Sequence, residues 1–314
     1  MTRHLAALII ASVALTAAGA EAQSDTIVFA GVPSTPDLTA YYADAQGMFA
    51  KAGLHVTITQ VASGSAGQLA VVGGAAQVAA TNTLSLAEAV SKGVPVVAIA
   101  PGSEYTHAQP STRLQVLADS PIKNLLDVMG KTVATNGLGD INSSGLRALV
   151  DKNGGDSSKI QFVEIPPSAQ GAALESHRVD AILALDPFAS ANAAKEYRSV
   201  ALPLDGIAPV FISAVYMSQT SWAQSHRAQV ITFARVIHDA SLYVTAHWTE
   251  LIPYIAQITK LPVATLQTLP PQTYPGGVYP NLIQPVIDAT AKYGNFQPFP
   301  ASRAIFDIPL NTGP

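Results

Sequence analysis

Residues Val72–Val90, VGGAAQVAATNTLSLAEAV, change character twice in a short span. Gln77–Ala80 is short and apolar enough to be a strand, and Leu84–Val90 has the spacing of a helix start. Between them stand Thr81, Asn82 and Thr83, three small hydrogen-bonding residues. A Thr or Asn here can cap the helix by accepting a bond from a free backbone N–H of its first turn. The carboxyl end of a strand is also where open α/β sheets bind ligands, beside the N–H groups of helix starts. One junction fits either role, whereas a row of them along one sheet edge points to a pocket.

Outward from this stretch the pattern repeats. Thr26–Ala30 and His55–Val61 read as strands, Leu38–Ala52 as one helix stopped by Gly53, and Ser65–Val72 as a helix stopped by Gly73 and Gly74. Val94–Ala100 is the next strand, followed by Leu114–Leu117, Thr132–Thr135, Ile160–Ile165 and Ala181–Leu185. Ser143–Asn153 and Ala169–His177 supply helices between them, and Phe211–Met217 reads as one further strand. The alternation predicts βα units on largely parallel sheets. Beyond Met217 the chain turns helical, with Val230, Phe233, Ala234, Ile237, Leu242 and Val244 along one apolar face. Shorter helices follow near Leu251–Thr259, Val263–Thr268 and Leu282–Tyr293.

The chain of 314 residues is 48% hydrophobic and 12% charged, with a net charge of −4, which fits a globular protein with a sizeable core. No basic run occurs, so nucleic acid and anionic membrane surfaces are poor partners. The first residues have the form of a secretory signal: MTRH, the apolar run Leu5–Ala18, then Ala20-Glu21-Ala22 as a cleavage site. Cleavage after Ala22 and export to a periplasm are expected. The chain has no cysteine, which excludes a lipid-anchored lipoprotein, disulfides and thiol chemistry.

Other motifs fail on spacing. Gly130-Lys131-Thr132 lacks the earlier glycine of a phosphate-binding loop, and Gly137-Leu138-Gly139 misplaces the third glycine of a dinucleotide fingerprint. His226, His238 and His247 are too far apart to share a helix turn as metal ligands. Asp119, Asp127, Asp180 and Asp186 offer no acid–base pair, and no G-x-S-x-G elbow is present. Neither a metal nor a cofactor is expected.

The stretch YYADAQGMFAKAGLHVTI, from Tyr41 to Ile58, resembles a signature of ABC-transporter solute-binding proteins in the sulfonate, taurine, nitrate and thiamine-pyrimidine group. Tyr42, Ala43, Gly47, Phe49, Gly53, Leu54 and Val56 fit that pattern, and Ser63-Gly64-Ser65 matches the turn after the second strand. Val72–Val78 is similar to a G-x-x-D-[IV] segment, with Gln77 in place of Asp. Leu125–Val133 is similar to D-L-x-G-K-x-V with one inserted residue, and Ala173–Ala181 to A-L-x-x-G-x-[VI]-D-A.

The resemblance implies an α/β, two-lobed type II periplasmic binding protein fold, with a hinge of two crossings and a cleft between the lobes. It implies a monomer that binds a small solute and delivers it to an inner-membrane ABC permease with its ATPase. The expected division is a signal peptide at 1–22, lobe 1 at 23–113, lobe 2 at 114–215, and a return strand and helical tail at 216–314. A periplasmic enzyme or a ligand-presenting sensor on the same fold is the competing reading.

The junctions then form a candidate set. It comprises Ser34 and Thr35 after the first strand, Ser63, Gly64 and Ser65 after the second, and Thr81, Asn82 and Thr83 after the third. In the second lobe it comprises Asn136, Asn142, Ser143 and Asp186. Tyr42 and Tyr216 join as aromatic candidates, with Tyr41, Phe188 and Phe211 behind them; core packing is expected for Phe188 and Phe211. Hydroxyl, amide and N–H donors suit a polar or anionic head group, which admits a sulfonate, a carboxylate, nitrate or a neutral heterocycle, and the several tyrosines tilt the expected solute toward an organic anion, sulfonate- or carboxylate-like, with an aromatic body in one variant. Arg113 is the one basic residue placed to neutralise it, with surface exposure as its competing fate.

Overall fold

A computed structural model describes residues 26–61, 64–186, 188–192 and 197–309. The signal segment and Ser63 lie outside the described residues. The chain begins with β1 (Thr26–Gly31), α1 (Leu38–Ala45), α2 (Met48–Lys51), β2 (His55–Gln60) and α3 (Gly64–Val72). It continues through β3 (Val78–Asn82), α4 (Thr83–Ser91), β4 (Val96–Pro101) and the short β5 (Glu104–Thr106). A second unit follows: β6 (Thr112–Leu117), β7 (Thr132–Thr135), α5 (Ile141–Lys152), β8 (Gln161–Glu164), α6 (Pro167–Glu175), β9 (Ala181–Leu185), α7 (Phe188–Ala191) and β10 (Tyr197–Ala201). The return runs through β11 (Val210–Ile212) and β12 (Ala214–Gln219) to α8 (Thr220–Ser225), α9 (Arg227–Ala246), α10 (Trp248–Thr259), α11 (Val263–Gln267) and α12 (Pro280–Gly294).

The strands form two five-stranded sheets, in the orders β2-β1-β3-β12-β4 and β10-β6-β9-β7-β8. In the first, β1 runs parallel to β2 and β3, and β12 runs antiparallel to β3 and β4. In the second, β7 runs parallel to β8 and β9, and β6 is antiparallel to β9 and β10. The chain passes between the sheets twice. The outgoing β5 and the returning β11 pair antiparallel, with Glu104 opposite Ile212 and Tyr105 opposite Phe211. That ribbon is the hinge.

Three expectations change. The sheets are mixed rather than largely parallel, because β12 in the first and β6 in the second run antiparallel to both neighbours. Leu38–Ala52 is not one helix: Gly47 takes φ 61°, a left-handed conformation that ends α1 and starts α2. Phe211–Met217 is not one strand, because Ser213 separates β11 in the hinge ribbon from β12 in the first sheet.

Apolar clusters cover both faces of each sheet. On one side of the first sheet, Phe29, Tyr216 and Phe233 meet edge to face, with ring centroids 5.5 and 5.9 Å apart. On the other side Val71, Leu86, Met217 and Ile287 share a second core. Leu114, Val116, Leu146, Val150 and Leu183 fill the second unit. A fourth cluster joins the units: Leu84, Tyr105, Ile141, Leu204, Phe211 and Val286 pack together across the hinge. Phe211 is fully buried at 5.1 Å from the Tyr105 ring, as expected of a core aromatic.

Candidate functional site

Strand ends from both sheets converge on one cavity of about 430 Å³. The loop Pro33–Pro36 follows β1, Asn82 ends β3, and Leu185 and Asp186 end β9. Ile141 and Asn142 open α5, and Pro167 opens α6. The hinge contributes Ser103, Glu104, Ser213 and Ala214, and the helical tail adds Thr259, Leu261 and Gln272. The cavity therefore lies at the carboxyl edge of both sheets, where helix starts bring backbone N–H groups.

The Thr81-Asn82-Thr83 junction divides its labour. Asn82 caps α4, its amide oxygen accepting the Ser85 N–H at 2.8 Å, and it lines the cavity. Thr81 is buried, and its hydroxyl donates to Gln68 Oε1 at 3.3 Å. Thr83 is fully buried and donates to the Ile212 carbonyl at 2.6 Å, tying α4 to the hinge strand β11. One of the three faces the cavity, and the other two hold the sheet edge and the hinge.

Ser34, Thr35, Asn142 and Asp186 also line the cavity. Asn142 is already committed: its Oδ1 accepts from Thr112 Oγ1 at 2.9 Å, and its Nδ2 donates to Asn136 and Asp140, each at 3.1 Å. Asp186 is committed too. It takes both contacts of Arg113, at 3.1 and 3.2 Å, and the Ser190 N–H and hydroxyl. Arg113, expected either as a counter-charge or on the surface, is therefore neutralised by Asp186 and does not line this cavity.

The remaining candidates fall elsewhere. Asn136 and Ser65 are exposed, and Gly64 starts α3 against the β3 backbone, 3.5 Å from the Ala80 carbonyl oxygen to a Cβ built on it. Ser143 is buried, with its hydroxyl and N–H both bonded to Asp140. Tyr42 is buried against the first-sheet core, stacked on Tyr243 at 5.1 Å. Tyr216 is fully buried; its hydroxyl lies 2.9 Å from Thr39 Oγ1 and accepts the Ala40 N–H at 3.3 Å. Neither tyrosine lines the cavity, because β12 sits inside the first sheet and α1 packs on α9. Phe188, expected in the core, does line it.

The loop after β1 is braced from below. Asp37 accepts the Val32 N–H at 2.7 Å, and Tyr274 donates to the Thr35 carbonyl at 2.7 Å. Burial pushes the Asp37 carboxyl up to about 7, against the opposing pull of the Val32 bond.

Several cavity residues escaped the sequence reading. Glu104, Ser103 and Ser213 sit on the hinge, whose position beside the cleft was a usable signal. Thr259, Leu261 and Gln272 come from the tail through long-range packing that no local pattern encodes. The side chains of Ser34, Thr35, Glu104, Ser111 and Gln272 make no hydrogen bond to another described residue. These are the cavity's uncommitted polar groups. Among the described residues, no lysine, arginine or histidine lines it. No group of three or more His, Asp or Glu suited to a metal occurs among the described residues, and none of their helices is long and apolar enough to cross a membrane.

The sequence model of the NMT1/THI5-like family matches residues 35–250. The chain belongs to that family. Its fold is the two-lobed type II periplasmic binding protein fold, with a hinge of two crossings and a cleft between the lobes. The periplasmic aliphatic sulphonate-binding protein SsuA of Escherichia coli superposes with a TM-score of 0.73 at 17% identity, covering 90% of this chain and 92% of that one. The alkanesulfonate-binding protein SsuA of Xanthomonas axonopodis pv. citri, bound to MOPS, gives 0.71 at 18% identity over 90% and 98%. The periplasmic nitrate-binding protein NrtA of Synechocystis PCC 6803 gives 0.61 at 14% identity over 77% and 69%. No curated protein matches the chain at a significant level.

Proposed function

We propose that this NMT1/THI5-like protein is the solute-binding component of an ABC importer. It takes a small organic molecule into the cleft and presents the closed form to an inner-membrane permease and its ATPase. The observation that carries the reading is the cavity at the junction of both sheets and the hinge ribbon, lined from both units. Closure about two crossings needs no chemistry, only affinity for the closed shape. The division expected from the sequence, with lobe 1 before and after an inserted lobe 2, serves that motion, and export with cleavage after Ala22 delivers the protein to the periplasm as a monomer.

Ser34, Thr35 and Asn82 are the contacts proposed from the first lobe, and Asn142 and Asp186 frame the second. The starts of α4, α5 and α6 would favour an anionic group, each by about 0.3–1 kcal/mol. Against an anion stand the Glu104 carboxylate and the lack of a basic side chain among the described lining residues.

The test joins binding to closure. The chain has no cysteine, so Ser65→Cys with Leu138→Cys gives a clean label pair on two exposed sites, one in each unit. A thermal-shift screen of organic acids, amines and heterocycles finds compounds that bind the folded state. The reading expects a stabilising compound that also shortens the label distance and is recovered unchanged. Turnover of that compound would support an enzyme instead.

A further inference from the structure

Among the described residues, Glu104 is the one fixed charge in the cavity wall that no other residue answers. It sits on β5, where side chains alternate: Tyr105 points to the hinge core and donates its hydroxyl to Asp205 at 2.8 Å, while Glu104 faces the cavity. Its backbone is held by the β5–β11 pairing and by its N–H bond to the Thr273 carbonyl, so the carboxylate projects from a rigid base. No described residue donates a hydrogen bond or an ion pair to it. The other carboxylate in the wall, Asp186, is matched by Arg113. Burial holds the Glu104 carboxyl above the usual carboxylate range, and no neighbouring cation offsets that cost.

A half-buried carboxylate without a partner is expensive to leave unmet and strong when met by a charged donor. Ile141, Leu185, Phe188, Leu204 and Leu261 supply an apolar wall around the same space. Building on the binding reading above, we infer that the solute carries a protonated nitrogen, an ammonium or amidinium, on an apolar body, and that Glu104 is the residue that selects it. Ser34, Thr35, Ser111 and Gln272 remain to bond polar groups at other points of the molecule.

The experiment compares the wild-type protein with Glu104→Gln against two panels matched in carbon skeleton. One holds amines and amidines, such as phenethylamine and benzamidine; the other holds carboxylates and sulfonates, such as phenylacetate and benzenesulfonate. Glu104 makes no internal hydrogen bond to a described residue, so the substitution leaves folding intact, which the melting curve of the unliganded protein checks. The expected result is stabilisation of the wild type by members of the cationic panel. Their affinity should fall roughly 10- to 100-fold in Glu104→Gln, the loss of one charge-assisted bond. Stabilisation by the anionic panel alone, strengthened in Glu104→Gln, overturns the inference and leaves the binding reading standing. Stabilisation by neither panel counts against both.

Discussion

The two sides of the hinge ribbon are built oppositely. Behind the hinge, the seam of α5 with α12 and the return crossing is closed. Leu84, Ile141, Leu204, Phe211 and Val286 pack there, and Asp151 takes Lys292 at 2.6 Å and the Tyr293 hydroxyl at 2.8 Å. In the cleft, the side chains of Ser34, Thr35, Glu104, Ser111 and Gln272 have no partner among the described residues, and a space of about 430 Å³ stays open. The seam holds the lobes in register so that the cleft does not have to. A binding protein needs this division, since groups that bond one another in the open state are not available to a solute.

The contrast extends to pH. On the cleft side, the buried Asp37 under the Pro33–Pro36 loop has its carboxyl raised to about 7. Its neutral form is the one the fold favours. The stability it contributes is full below the unfolded value of 3.8 and is lost as pH rises to about 7. On the seam side burial tends to raise Asp151, but its bonds from Lys292, Ser157 and Tyr293 prevail and hold it below the usual range. Its contribution is present at neutral pH and is lost as the solution becomes strongly acidic. Asp37→Asn keeps an acceptor for the Val32 N–H and removes the titration. Urea unfolding at a series of pH values should show the variant gaining on the wild type between about pH 4 and 7, by on the order of 4 kcal/mol in total. A difference that does not change with pH would contradict a buried, neutral Asp37 beneath the Pro33–Pro36 loop.

The seam itself breaks most directly at Gly206. A Cβ there would collide with the Gly145 carbonyl oxygen and lie 2.5 Å from the Leu149 nitrogen, both backbone atoms that cannot swing away. Gly206→Ala should cost about 3 kcal/mol in denaturant melts. Tyr216→Phe sharpens the boundary between core and cleft. It strips a buried hydroxyl from Thr39 and Ala40, so a loss of about 1–2 kcal/mol in stability is expected with solute affinity unchanged. An affinity loss without a stability loss would return Tyr216 to the ligand. The smallest effect belongs to Asp151→Asn, about 1 kcal/mol and weaker at high salt, because the Lys292 partner is largely exposed.

The sequence made the layout legible because strand-to-helix alternation and the polar junctions are local features. Asn82, Ser34 and Asp186 reach the cavity for the reason read from the sequence, that they end parallel strands. Thr81 and Thr83 look identical to Asn82 in that reading. They differ only in which long-range partner claims the side chain, Gln68 for one and the Ile212 carbonyl for the other. Tyr216 sits on a crossing strand as expected, but the sheet order puts that strand between β3 and β4, inside the core. Glu104 was silent because its role depends on the register of the hinge ribbon, Glu104 opposite Ile212, and on no described residue donating to its carboxylate. The break at Ser213 was hidden for a similar reason: the apolar run is continuous, and only the switch from ribbon to sheet divides it.

The central claim is that a small molecule occupies the cleft. Ser34→Trp would fill that space from the exposed side, on an extended backbone at φ −142° whose side chain caps nothing. Both proteins should be incubated with a small-molecule extract of bacterial cells, desalted, denatured and analysed by mass spectrometry, with melting curves to verify that the variant is folded. The account predicts a compound released from the wild type and missing from Ser34→Trp. The same compound released from both, or none from either, would contradict it.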